Sequence, residues 1–241
     1  CVAIGRNALD DTAGNAHTGA IAIGYEALSS VTTGVRNLAI GYQAFDANQA
    51  GADNVVIGWD AMGNSNSTSL GNVVIGSYAG NEMGTAAANN YNIIIGYDSG
   101  GGAWSSAAVT DNVVVGKAAF SGANVGGCQN IAIGTESLAG SMTATADNNT
   151  AVGHQAGNSL TSGAQNILIG AGVATALTTG ENNVFLGKSA GATMTTSSNS
   201  VLIGESAGTA ISASQTDTNG TVAVGWNALT ALLSGAGNVA I

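Results

Sequence analysis

The sequence predicts an all-β fold, a parallel β-solenoid of the β-roll type, and three observations carry that expectation. A pentapeptide of the form asparagine, aliphatic, any residue, aliphatic, glycine returns every 17 to 21 residues from one end of the 241-residue chain to the other. The aliphatic positions are mostly β-branched, as suits a pleated strand. Repeats at this spacing leave no room for a separate core, so residues 1–241 read as one array of about thirteen coils in which each coil packs only on its neighbours.

The strand comes first. Copies such as Asn37-Leu38-Ala39-Ile40-Gly41, Asn72-Val73-Val74-Ile75-Gly76 and Asn130-Ile131-Ala132-Ile133-Gly134 place two aliphatic residues on one face and the middle residue on the other. No middle residue is polar, so both faces are expected to be dry. A single coil stack covers one face only, and an apolar stripe left on the other marks an interface. The expectation is that the larger β-branched pair faces inward. The middle residues, notably Val56, Val74, Ile94, Val114, Leu168, Phe185 and Leu202, would then pack around the axis of a homotrimer, with alanine at other copies allowing close backbone approach.

The punctuation follows. The closing glycine suits a corner that needs positive φ. The asparagine, present in ten of fourteen copies, is replaced by Cys1, Ala20, Ser200 and Thr221. Its amide is suited to bond the turn and the next coil, forming a ladder. Three residues after the glycine comes alanine in ten of thirteen copies, expected to point into a thin core from a second, shorter strand. Linkers such as Thr32-Thr33-Gly34 and Thr178-Thr179-Gly180 read as turns, and the polar insertions at residues 77–91, 97–111 and 205–220 are where surface recognition would sit. The first and last residues lie inside copies of the repeat, which predicts a segment of a longer protein.

Composition narrows the function. There is no proline, charged residues make up 7%, and 37 glycines are present, against roughly 25% charge in ordinary globular domains. Hydrophobic residues at 45% and fixed spacing exclude disorder. A net charge of −10 with four basic residues, Arg6, Arg36, Lys117 and Lys188, speaks against nucleic acid and anionic lipid. No apolar run of about 18 residues predicts a membrane helix. Two cysteines, Cys1 and Cys128, build no disulfide framework.

Chemistry-bearing motifs are weak. Gly187-Lys188-Ser189-Ala190-Gly191 and Gly204-Glu205-Ser206-Ala207-Gly208 match a nucleophile elbow, but both are the corner glycine followed by its alanine step, and neither is followed by the acid and histidine a hydrolase needs. The phosphate-loop pattern around Gly187 fails at Asn182. His17 and His154 lie far apart without partners at metal spacing, and the aspartates, Asp10, Asp11, Asp53 and Asp98 among them, show no calcium-loop spacing. The sequence therefore predicts no enzyme, no catalytic or metal site and no cofactor.

One constellation points to binding. Tyr25, Tyr42 and Trp59 follow the corner glycine in three successive copies, with Tyr97 and Trp226 in later ones. Stacked coils would set them about 4.8 Å apart along one edge, where aromatic faces suit sugar rings. The competing expectation is that the rings stack on one another. Trp104, inside Gly100-Gly101-Gly102-Ala103-Trp104, is a second candidate glycan contact.

The Asn-Val-Ala-Ile element at Asn238–Ile241 and its relative at Asn130–Gly134 resemble the head repeat of trimeric autotransporter adhesins, the YadA-like head. The longer unit Thr32–Phe45 looks still more like the repeats of phage tail fibres and related virion fibres. The resemblance covers essentially the whole chain, although repeats of 17 to 21 residues exceed the adhesin coil. It implies a homotrimer of left-handed rolls, extracellular on a virion or bacterial surface. Its function would be structural and adhesive, as a tail-fibre shaft or alternatively an adhesin head, with a host-surface glycan or protein receptor as partner.

Overall fold

The computed structural model describes residues 1–10, 18–47, 49–65, 68–84, 89–104, 108–124, 126–209, 218–230 and 235–241. Each copy of the pentapeptide forms one short strand, in the order β1 (Val2–Ile4), β2 (Ile21–Ile23), β3 (Leu38–Ile40), β4 (Val55–Ile57), β5 (Val73–Ile75), β6 (Ile93–Ile95) and β7 (Val113–Val115). They continue with β8 (Ile131–Ile133), β9 (Thr150–Val152), β10 (Ile167–Ile169), β11 (Val184–Leu186), β12 (Val201–Ile203), β13 (Val222–Val224) and β14 (Val239–Ala240). All fourteen lie in one parallel sheet in sequence order. Equivalent positions are in register, Val56 opposite Val74 and Phe185 opposite Leu202, so the chain is a β-solenoid.

The corner glycine has two jobs. Gly24, Gly41, Gly58 and Gly76 adopt φ between +139° and +146°, a region L side chains rarely enter. A Cβ at Gly41 would also overlap the carbonyl oxygen of Gly58 in the next coil, so the corner is a close approach between coils.

No second strand follows among the described residues. After the corner the backbone alternates between right- and left-handed conformations, with Gln43 at φ +51° and Phe45 at +55°, then Asp60 at +54° and Met62 at +49° in the next coil. Alternation aims successive amides at opposite neighbours. The Gln43 N–H donates to the Tyr25 carbonyl of the preceding coil at 2.8 Å, whereas the Phe45 N–H donates to the Ala61 carbonyl of the following coil at 2.9 Å. None of the non-glycine residues with positive φ among the described residues is β-branched, as the steric cost requires.

The core lies on the side of the strand opposite to the sequence expectation. Val56, Val74, Ile94, Val114, Leu168, Phe185 and Leu202 are fully buried within their own chain, together with Ala22, Ala39, Ala132, Ala151 and Ala223 at the same position in other coils. They therefore do not line an axis between copies. The flanking pair of each strand points outward instead.

The reason is volume. Each coil closes over the middle strand residue and the residue four after the corner glycine, and these two share one space. In several coils the sizes are reciprocal: Ala22, Ala39 and Ala132 go with Leu28, Phe45 and Leu138, all in the buried core, whereas Ile94, Phe185 and Leu202 go with Gly100, Gly191 and Gly208. A Cβ at Gly191 would stand 2.6 Å from Phe185 Cε2 of its own coil, and one at Gly157 would stand 2.7 Å from Leu168 Cδ1 of the next coil, so neighbouring coils also press on this space. The alanine after the corner does point inward as expected: Ala44, Ala61 and Ala119 are buried.

The asparagine ladder runs through the buried wall. Asn37, Asn54, Asn72, Asn92, Asn112, Asn130, Asn149, Asn166 and Asn183 are all buried. In each step the side-chain oxygen accepts the backbone N–H of the next asparagine, as from Asn54 to Asn37 at 3.0 Å and Asn92 to Asn72 at 2.9 Å. The side-chain NH2 donates onward to the turn of the following coil, Asn54 to Ser69 O at 2.8 Å and Asn183 to Ser197 O at 2.7 Å. Where serine replaces asparagine, the Ser200 hydroxyl accepts the Thr221 N–H at 3.2 Å.

Candidate functional site: an aromatic ladder along one edge

The edge just past the corner glycines carries the most distinctive surface. Because the corner fixes the coil spacing, the next side chain projects outward one above another. Tyr25 and Tyr42 stack with ring centroids 5.1 Å apart and planes at 11°. Tyr42 meets Trp59 at 6.1 Å and 75°, so the rings turn perpendicular. Trp59 continues to Tyr78 at 5.3 Å, and Tyr78 to Tyr97 at 6.1 Å. The expected self-stacking is real and longer than the sequence indicated, covering five consecutive coils.

Tyr78 is the residue that sequence reasoning missed. It sits two positions after Gly76, where the other ladder members sit one after their glycine, and its left-handed backbone at φ +58° swings the ring into line. The small Ser77 in the usual aromatic position leaves it room and is the signal that could have revealed it.

Stacking does not hide the rings. Tyr42 is 46% exposed, Trp59 51% and Tyr97 55%. Trp104 behaves differently. It is 2% exposed, packs edge-on against Phe120 at 5.9 Å, and is a core residue rather than the surface contact expected. Its coil is long enough to fold the insertion inward, where other coils place Val31, Leu160 or Leu177. Trp226 is exposed and lies beyond the ladder.

Acidic and amide side chains accompany the rings. Gln43 Nε2 donates to Glu26 at 2.8 Å and Asn7 Nδ2 donates at 3.4 Å. The Gln43 bond first, and then the Tyr25 hydroxyl, hold the Glu26 carboxyl below its ordinary range. The same Glu26 bond raises the Tyr25 hydroxyl. Arg6 lies over the Tyr25 ring at 5.9 Å and closes the top of the stack.

Asp46, behind the ladder, is pushed up to about 6, first by burial and then by the neighbouring charges of Asp60 and Glu26. A carboxyl raised in the folded state binds protons there that the unfolded chain has already released. Its contribution is therefore most favourable in acid and is lost as pH rises from about 4 through 6. Asp46→Asn should flatten stability across that window. At pH 7 it should stabilise by on the order of 1 kcal/mol, the half-exposed position being screened by solvent; thermal melts of both proteins at pH 4, 5, 6 and 7 check this.

Elsewhere, Arg36 bridges Asp53 of the next coil through two contacts at 2.6 and 2.7 Å, and Lys188 meets Glu205 at 3.3 Å. Ser189 and Ser206 occupy left-handed turn positions at φ +57° and +59°. Among the described residues no group of three or more His, Cys, Asp or Glu side chains is placed to hold a metal ion, and no helix is long and apolar enough to cross a membrane. His17 and Asp11 lie outside the described residues, as do 85–88, 105–107 and 210–217 of the insertions.

No family model, curated protein or solved structure matches the chain.

Proposed function

We propose that this chain is a segment of a non-enzymatic structural and adhesive fibre, a homotrimer of left-handed rolls that serves as a tail-fibre shaft on a virion surface. An adhesin head on a bacterial surface would use the same architecture. The observation that carries the reading is the outward face of the sheet. Its two columns contain only valine, isoleucine and leucine apart from Thr150. Ile93 is 40% exposed, Ile167 43% and Ile169 40%.

Thirteen steps at the sheet spacing make this stripe roughly 60 Å long and about 10 Å wide, on the order of 600 Å². That is at the size where an apolar patch marks an interface, and close to the roughly 800 Å² each partner contributes to a stable one. A partner that fits the stripe along its length must repeat at the coil pitch, and a second copy of this chain does. A fibre so built draws stiffness from the uninterrupted backbone ladder and the asparagine wall. Its edges stay free to touch a host-surface glycan or protein receptor.

Light scattering tests the assembly. The chain should show three times its 23.3 kDa mass. A variant with Ile93, Ile131, Ile167 and Ile169 changed to serine should fall to monomer while keeping its strand signal in circular dichroism. Val114→Ser, on the buried side, should lose the fold instead. A monomeric wild type would overturn the trimer.

A further inference from the structure

We propose that the aromatic ladder is a binding platform for an uncharged polysaccharide, which lies along Tyr42, Trp59, Tyr78 and Tyr97 beside the carboxylates of Asp60 and Asp98. The proposal names the receptor class for the adhesive reading above and rests on that reading, but it does not depend on the trimer.

The rings are surplus to the fold. The position one past the corner glycine is occupied by Arg6, Ser77, Lys117, Thr135, His154 or Ala171 in other coils. Those coils keep the same strand register and the same glycine geometry. The coil therefore does not need an aromatic there. Yet four of the five tyrosines and one of the three tryptophans of the chain meet in this one run.

Ring orientation separates a platform from a self-contained stack. Tyr25 and Tyr42 lie face to face, which consumes the faces between them. From Tyr42 onward the planes lie at 75°, 49° and 82°, edge-to-face or tilted instead of stacked, so each contact covers at most one ring face and leaves others open. About half of Tyr42 and Trp59 stays exposed even with ring neighbours on both sides, and so does about half of Tyr97 at the end of the ladder.

Charge selects the ligand. Exposed aromatic rows also stack nucleic-acid bases, but those sites pair the rings with a basic groove. Here the rings of Tyr42, Trp59 and Tyr97 are followed in sequence by Gln43, Asp60 and Asp98. Along this run basic residues stand in the column only at its ends, Arg6 before Tyr25 and Lys117 after Tyr97, and the whole chain carries −10. Polyanions, nucleic acids and uronic or sulfated glycans alike, are repelled. What remains is a neutral polymer of flat apolar-faced units with hydroxyl rims, which aromatic faces and carboxylate acceptors together suit. One ring per coil along a straight edge favours a polymer over a single sugar.

Affinity electrophoresis of the intact chain tests this, with dextran, soluble β-1,3-glucan, galactomannan and hydroxyethylcellulose as neutral probes and polygalacturonate and heparin as anionic ones. At least one neutral polymer should retard the chain, and neither anionic polymer should. Trp59→Ala and Tyr97→Ala should each weaken the retardation on the order of tenfold, with strand content unchanged, while Trp226→Ala should leave it intact. Absence of retardation by every neutral polymer, or retention of wild-type binding in both ladder variants, would overturn the platform. Light scattering on the same samples separates the two ideas: a trimer without glycan binding leaves the fibre standing, and a monomer that binds glycan leaves the platform standing.

Discussion

Asn92→Ala is expected to cost about 3–5 kcal/mol, because it leaves several buried groups without partners at once. The Asn92 side-chain oxygen accepts both the Asn112 backbone N–H at 3.1 Å and the Asn112 side-chain NH2 at 3.0 Å. Its own NH2 donates to Asn72 Oδ1 at 3.1 Å, to the Asn90 carbonyl at 3.1 Å and to the Val109 carbonyl at 2.8 Å. Alanine removes all five, and water cannot replace those to Asn72, Val109 and Asn112 because these residues are buried. A loss of this size corresponds to a fall on the order of 10 °C in the thermal midpoint of a chain this long. Asn92→Ser should be milder, since Ser200 already continues the ladder by accepting the Thr221 N–H. Melting curves should thus rank wild type, serine, alanine. Equal melting of alanine and wild type would mean that the asparagine wall contributes nothing to stability.

The ladder was legible in the sequence for a physical reason. An asparagine four before a glycine, at constant spacing from strand to strand, has few roles other than bonding the turn and the next coil. The corner glycine was legible in the same way, since positive φ and close backbone approach both select it. The direction of the strand was not. A three-residue strand with apolar residues on both faces gives no polar side to mark the outside, and the alanines at its middle position looked like sites of close packing between chains. They are instead buried in the same core as large residues six positions on, Leu28 after Ala22, Phe45 after Ala39 and Leu138 after Ala132. That reciprocal change in size is present in several repeats, but only comparison of the two columns side by side reveals it.

The binding edge was partly legible. Tyr25, Tyr42 and Trp59 share one position after the glycine, so their alignment follows from the repeat alone. Tyr78 escaped because a left-handed backbone residue redirects its ring by one position. Trp104 misled for the opposite reason: its glycine-rich surroundings resemble a surface loop, yet Gly100 makes room for the indole inside the coil. A Cβ at Gly100 would stand 3.3 Å from Trp104 Cζ2 and 3.2 Å from Ile94 Cδ1.

Shared volume makes the core testable as a pair rather than residue by residue. Phe185→Ala should cost about 3–5 kcal/mol, since it empties a fully buried ring space. Gly191→Leu should also destabilise, by at least about 1–3 kcal/mol, because its Cβ would lie 2.6 Å from Phe185 Cε2 and 3.1 Å from Leu202 Cδ1. Together the two changes recreate the arrangement of Ala132 with Leu138, in which a leucine stands at φ +47° in the position that Gly191 holds at +59°. The leucine of the double variant then fills the space the phenylalanine vacates. The double variant should therefore be more stable than either single one in denaturant unfolding, with a coupling of about 1–3 kcal/mol. Additive losses would show that the two positions do not share a space, and the inward assignment of the middle strand residue would lose its energetic basis. Recovery would establish that in this coil the strand position and the position four past the corner compete for one space, as the reciprocal sizes of Ala39 with Phe45 and of Leu202 with Gly208 suggest for others.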